Sequence, residues 1–253
     1  MRPVALLTDF GLGDHYVGVL HSVLERDAPG VTRIDLAHEV APGDVWQASY
    51  MLRCAWPHLP TRAVVLAVVD PGVGTERLAV AVRLGGRVLV APDNGLAGAV
   101  GPPDAAISLD WWRLGVPEPS RTFHGRDLFA PAAARVARGD ELEDLGRPVS
   151  VGGLEPCPLP SPERRGNGWL MTILHVDRFG NLATNLAGEE FKAASMKFAP
   201  DRIARRVATF GDGADDEVVV LEGSAGLLEL AVNGGSAAAA TGLGRGDVIE
   251  VSA

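Results

Sequence analysis

The chain has 253 residues, 47 % of them hydrophobic, enough to bury the core of one large domain or two modest ones. Its net charge of −9 excludes a protein that grips nucleic-acid phosphates through a basic face, but leaves room for a cationic small molecule. No run approaches the roughly 20 apolar residues that cross a bilayer. Asp9 interrupts the apolar start too early for a signal peptide, so a cytoplasmic location and no membrane partner are expected. Cys54 and Cys157 stand far apart with no Cys-x-x-Cys, which fits two free thiols rather than a zinc ribbon or redox pair.

In chain order, Val4 to Leu7 is a short apolar run suited to a buried parallel strand. Asp14 is placed to cap a helix whose core face carries Tyr16, Leu20, Val23 and Leu24, and Pro29-Gly30 stops it. Asp44 with Gln47 resembles a capping box for a second helix ending before Pro57. Ala63 to Val69 reads as a buried strand. Leu78 to Val82 and Arg87 to Ala91 read as two more, joined through Gly85-Gly86. Asp127 to Ala137 reads as a helix that tolerates Pro131 in its first turn. This alternation predicts an α/β domain over residues 1–155, its sheet mostly parallel with flanking helices. Four prolines between Pro156 and Pro162 mark a linker, 156–166. Residues 167–253 then show short strands at Trp169 to Val176, Val218 to Leu221, Leu227 to Val232 and Asp247 to Val251. They predict a smaller, antiparallel, β-barrel-like C-terminal domain.

Three strands run into an aspartate followed by a turn: Thr8-Asp9-Phe10-Gly11, Asp70-Pro71-Gly72-Val73-Gly74-Thr75 and Pro92-Asp93-Asn94-Gly95. Ligands of open α/β sheets sit beyond the carboxyl ends of strands, so these carboxylates form a candidate site, although aspartate also initiates turns without further function. No Walker or dinucleotide glycine pattern is present. Thr122-Phe123-His124-Gly125-Arg126-Asp127 gathers an imidazole, a guanidinium and a carboxylate. The histidine fits a hydrogen-bonding, catalytic or metal-ligating role, but no zinc-type histidine spacing supports a metal. Asp177-Arg178-Phe179-Gly180-Asn181 and the stretches around Ser224 and Gly234 are turn-like. Phe179 is an apolar residue at a turn tip, suited to stacking on a flat ligand or to plugging a barrel.

Taken in order and spacing, these segments resemble the S-adenosylmethionine hydroxide adenosyltransferase family, relatives of the fluorinases and chlorinases, over nearly the whole chain. The resemblance implies hydrolysis of S-adenosylmethionine to adenosine and methionine by in-line attack of water on the ribose 5′ carbon, without metal or organic cofactor. It also implies a homotrimer, with each site shared between the N-terminal domain of one subunit and the C-terminal domain of the next. It places Asp70, Arg77 and His124 on the attacking water, with the proton acceptor open between Asp70 and His124. Asp9 falls on the ribose hydroxyls, and Asp177 and Ser224 on the amino-acid end of methionine. Asn181 and the backbone of Gly234 fall at the adenine edge, with Phe179 beside the ligand. Halogenating relatives carry Tyr in place of Asp70, and fluorinating ones carry Thr and Ser in place of Val73 and Gly125. An arginine that follows the Ser224 position in fluorinases is Ala225 here. The competing readings are a halogenase, a non-catalytic binder of S-adenosylmethionine or adenosine, and a metal-dependent nucleoside or phosphoester hydrolase.

Overall fold

The computed structural model describes residues 1–199 and 202–252. The chain forms two compact units, Met1–Pro158 and Leu159–Ala253. No helix among the described residues is long and apolar enough to cross a membrane.

The first unit is built on seven strands: β1 (Val4–Thr8), β2 (Arg33–Ala37), β3 (Val64–Val68), β4 (Ala79–Leu84), β5 (Arg87–Pro92), β6 (Ala105–Leu109) and β7 (Gly146–Val149), in the order β2-β1-β3-β5-β4-β6-β7. Its helices are α1 (Tyr16–Asp27), α2 (Val45–Ala55), α3 (Trp111–Leu114) and α4 (Ala130–Arg138). β1 and β3 are buried along their whole length. Strand alternation sends Val4 and Leu6 into a core with Leu20 and Leu24 of α1 and the alanines of α4. Ala5 and Leu7 go to the opposite face, with Ala48 and Leu52 of α2. The unit is therefore a helix–sheet–helix sandwich.

The sheet is mixed, not mostly parallel. β2, β1, β3 and β5 run parallel, but β4, β6 and β7 pair antiparallel. The reason is the turn at Gly85-Gly86. Two residues close a hairpin, whereas a parallel crossover needs a dozen or more. Because β1, β3 and β5 are adjacent and parallel, their carboxyl ends still share one sheet edge, with Asp9, Asp70 and Asp93 just beyond it.

Four local expectations change. His15, not Asp14, stands at the N-cap of α1, without a side-chain cap. Tyr16 is 39 % exposed and leaves the core face to Val17, Leu20, Val23 and Leu24. Asp44 does cap α2, accepting from Gln47 N at 3.0 Å, but Gln47 Oε1 turns to Ala41 N, so the box is not reciprocal. The expected helix over 127–137 begins earlier as a π turn, Gly125–Phe129, which leads into α4. Pro131 is the second residue of α4, directly after the π turn.

The second unit holds β8 (Glu163–Arg165), β9 (Gly168–Val176), β10 (Leu182–Ala187), β11 (Ser195–Ala199), β12 (Arg202–Arg206), β13 (Val218–Glu222), β14 (Leu227–Val232) and β15 (Val248–Val251), with the short helix α5 (Ala237–Thr241). Their order is β11-β12-β13-β14-β10-β9-β15, and β8 branches from β9. All pairs are antiparallel except β12 with β13. Lys197 of β11 and Ser252 beyond β15 exchange backbone hydrogen bonds of 2.9 and 3.0 Å. That link brings the two ends of the strand path together, and the sheet is a curled half-barrel around Met171, Ile173, Leu182, Leu228 and Leu230.

Candidate active site

The Asp70 loop is shaped by short-range bonds. Val73 N and Thr75 N donate to the carbonyls of Asp70 and Gly72, and Thr75 Oγ1 donates to Gly72 O at 2.7 Å. Gly74 has φ +80°, and a Cβ there would lie 2.6 Å from the carbonyl oxygen of Arg121. Only glycine lets this loop press against the segment leading to His124. The result joins Asp70 and Arg77, seven positions apart, to His124, 47 positions beyond Arg77. Arg77 Nε donates to Asp70 Oδ1 at 2.8 Å, and Arg77 Nη2 donates to Asp70 Oδ2, so the guanidinium grips the carboxylate with two parallel bonds. The same Nη2 lies 2.9 Å from His124 Nδ1. Phe129, from the π turn, faces the guanidinium with its ring centroid 5.3 Å from Cζ.

That contact fixes the imidazole. A guanidinium has donors and no acceptor, so His124 Nδ1 accepts and the proton of neutral His124 resides on Nε2. Burial, followed by the positive charge of Arg77, holds His124 below its ordinary 6.5, with Asp70 and Asp127 pulling the other way. Asp127 anchors the entry to the helix. Burial opposes its ionisation, yet bonds from Arg126 and Ser120 hold its carboxyl at about 2.

Asp9 is half-buried beside this cluster and accepts from Gly43 N at 2.7 Å. Burial raises its carboxyl above the ordinary range against the pull of that N–H, and the charge of Asp70 adds to the rise. Asp9, Asp70 and His124, with Phe10, Val68, Val73, Thr122, Phe123 and Gly125, line a cavity of about 70 Å³. That space suits water molecules, not a nucleoside, whose pockets run to roughly 300 Å³ or more. Phe10, Tyr16 and Phe123 meet edge to face over its wall, with centroids 5.2–6.0 Å apart. Asp93 takes a structural task, accepting from Glu155 N at 3.0 Å.

In the second unit, Phe179, Asn181 and Gly234 line one open pocket of about 480 Å³, together with Phe210, Val232 and Gly235. Asp177 sits beneath the turn that carries them. Its Oδ1 accepts from Phe179 N and Asn181 N at 2.8 and 2.9 Å, and its Oδ2 accepts from Asn181 Nδ2 at 2.9 Å. Gly180 has φ +85°, and a Cβ there would collide with Ser236, so the turn requires glycine. Ser224 is exposed in the turn joining β13 to β14, at the opposite end of β14 from Gly234. Phe210 escaped the sequence reading. Its signal was an apolar residue inside the polar turn Thr209-Phe210-Gly211-Asp212, closed by a capping box between Thr209 and Asp212.

Residues 4–146 match the SAM hydroxide adenosyltransferase N-terminal domain and residues 171–250 its C-terminal domain. A Thermus thermophilus protein named (R)-S-adenosyl-L-methionine hydrolase is 46 % identical over 97 % of this chain and 98 % of its own. One of the same name from Salinispora tropica is 43 % identical over 99 % and 97 %. A fluorinase from an Actinoplanes species is more distant, 25 % identical over 91 % and 90 %. The crystal structure of an uncharacterized conserved protein from Thermotoga maritima superposes with a TM-score of 0.92 at 34 % identity, covering 99 % of this chain and all of that one. The chain belongs to the SAM hydroxide adenosyltransferase family.

Proposed function

We propose that this protein hydrolyses S-adenosyl-L-methionine to adenosine and L-methionine, and, as the names of its relatives specify, accepts the (R) sulfonium epimer. The observation that carries the mechanism is Arg77 holding Asp70 and His124 Nδ1 at once, on the wall of a water-sized cavity. Water placed there attacks the ribose 5′ carbon opposite the sulfur. The new C–O bond forms as the C–S bond breaks, and its electron pair leaves with neutral methionine. The sulfonium is already an activated leaving group, so the work is positioning and exclusion of other solvent. With Nδ1 taken by Arg77, His124 offers Nε2–H to the water's lone pair. The anionic Asp70 is then the acceptor of its proton.

In this reading Asp9 receives the ribose hydroxyls, and Asn181 with the Gly234 backbone reads the adenine edge while Phe179 stacks on its face. Asp177 and Ser224 meet the amino-acid end. No metal or organic cofactor takes part, and the protein works in the cytosol. The two groups of residues act together in a homotrimer, each site drawing the Asp70 cluster from one subunit and the Phe179 pocket from its neighbour. The halogenase alternative is disfavoured at Gly125. A side chain there would start 3.0 Å from Phe10 Cζ and 3.3 Å from Phe123 Cε2, where the fluorinating relatives carry serine.

Chelator-treated protein incubated with each sulfur epimer and analysed by chromatography should release adenosine and methionine. Methylthioadenosine as the product, or activity only with added metal, would overturn the proposal. For the trimer, mixing inactive Asp70→Ala with inactive Asn181→Ala subunits should restore activity, because some sites then receive both intact halves.

A further inference from the structure

Away from the reaction cluster, His21 of α1, Asp35 of β2 and His38, just past β2, each turn one ligating atom toward a common point, all within 4.8 Å of one another. His21 Nε2 and His38 Nε2 lie 2.8 and 3.1 Å from the same oxygen, Asp35 Oδ1. Ligand atoms around a tetrahedral ion with bonds of about 2.0–2.1 Å stand roughly 3.3 Å apart. The two imidazole–carboxylate spacings therefore need only a slight parting to admit one.

His38 supplies a second, independent observation. Its side chain is 4 % exposed, and Nε2, 3.1 Å from Asp35 Oδ1, has no well-aligned hydrogen-bond partner. Its other nitrogen, Nδ1, is held 2.8 Å from Thr8 Oγ1, which also accepts from Phe10 N. In the tautomer that donates Nδ1–H to Thr8, the Nε2 lone pair is available to an ion shared with Asp35. This is the arrangement of a ligating histidine, whose second nitrogen is oriented by an outer partner. His21 and Asp35 keep 31 % and 46 % of their side-chain surface, which leaves an open side for an entering ion and its water. The neighbouring cation, Arg33, is engaged by Glu25 Oε2 at 3.0 Å.

We propose that His21, Asp35 and His38 form a site for a divalent transition-metal ion, with Zn²⁺ the best match, clasping helix α1 to edge strand β2. Two imidazoles and one carboxylate suit zinc or cobalt, whereas magnesium and calcium select oxygen ligands. None of the three ligands touches the cavity at Asp70. The ion is a brace, and hydrolysis proceeds without it. The brace lies behind the Asp9 turn, since Gly11 N donates to the His38 carbonyl at 2.7 Å.

Metal-stripped protein should be titrated calorimetrically with Zn²⁺, and with Co²⁺ while its visible spectrum is followed. His21→Ala and Asp35→Asn serve as the variants, with His21→Gln in reserve. These side chains are partly exposed, and circular dichroism verifies folding. The wild type should bind one ion per chain, give the intense visible bands of low-coordinate Co²⁺, and melt higher with Zn²⁺ but not with Mg²⁺. Loss of a ligand should weaken binding by more than the roughly 10–100-fold typical of losing an outer partner. Absence of saturable binding by the wild type, or equal affinity in the variants, would overturn the proposal and leave the trio a hydrogen-bonded brace.

Discussion

Asp70 and Arg77 keep only 6 % and 12 % of their side-chain surface, and each is bound by directed hydrogen bonds. Phe179 and Phe210, in the pocket of the other unit, are 68 % and 44 % exposed. A group that steers one water must have its lone pairs and protons aimed in advance, which takes a dense network and several glycine-dependent contacts. A surface that receives a flat base needs area, and it stays open until the base arrives. On the proposed function, fixation belongs to the chemistry and exposure to recognition, and substitutions on the two sides should fail in different ways.

The largest effect is expected at Asp70. Asp70→Asn removes the anionic acceptor and presents an amide N–H to the donors of Arg77. Turnover should fall roughly 10²–10⁴-fold, the range for lost acid–base and positioning groups. Calorimetric affinity for S-adenosylmethionine should move by less than about 1 kcal/mol, as for an interaction made only in the transition state. Vanished affinity with normal turnover at saturation would reverse the comparison. Phe179→Ala is the mirror experiment. Affinity should drop by about 1–3 kcal/mol, the range for a base stacked on an aromatic ring. Turnover at saturation should hold. Stability should stay within about 0.5 kcal/mol because the ring is largely exposed.

The sequence carried the buried strands and the carboxylates at their ends because burial and turn chemistry are local signals. β1, β3 and β14 read directly as apolar runs. Strands with few buried apolar residues did not. β2 is Arg-Ile-Asp-Leu-Ala with no fully buried residue, and β12 is Arg-Ile-Ala-Arg-Arg, so their pairing rests on neighbours and not on hydrophobicity. The mixed sheet was legible in Gly85-Gly86, yet the βα alternation around it pointed to a parallel arrangement. At the site, Asp70, Arg77 and His124 were named through the resemblance, but their joining needed the loop contact at Gly74, which no spacing rule supplies. The tautomer of His124, and with it the choice of proton acceptor, depends on one contact across 47 positions of sequence.

A gentler probe of the fixed side is Gly125→Ser, which introduces the hydroxyl of the fluorinating relatives. Its Cβ would meet Phe10 Cζ at 3.0 Å, so the aromatic wall must shift. Overpacking of this kind costs about 1–3 kcal/mol. A lower melting temperature with no halide-dependent product is the expected outcome. Unchanged stability would mean that the wall yields easily and is not part of the fixed network.

The smallest effect, and the sharpest test of that network, is the titration of His124. Its second proton must enter at Nδ1, the nitrogen that accepts from Arg77, so protonation sets two cations against each other and breaks the contact. The folded value lies below the ordinary 6.5, with burial as the first cause and Arg77 as the second. Between the folded and unfolded values the unfolded chain holds the extra proton, so stability from this group is complete above pH 6.5 and declines as pH falls through that window. Turnover should follow the neutral form and keep its level below pH 6.5 before its acid limb begins. Asp9 behaves oppositely. Its raised carboxyl takes up a proton sooner than an ordinary aspartate on acidification, and should weaken KM without lowering kcat. Nitrogen-resolved NMR of the histidines should show His124 as the Nε2–H tautomer. In Arg77→Met, loss of the neighbouring charge should move its titration upward. An Nδ1–H tautomer, or a titration that ignores Arg77, would free the imidazole to act as the base and remove the ground for assigning the proton to Asp70.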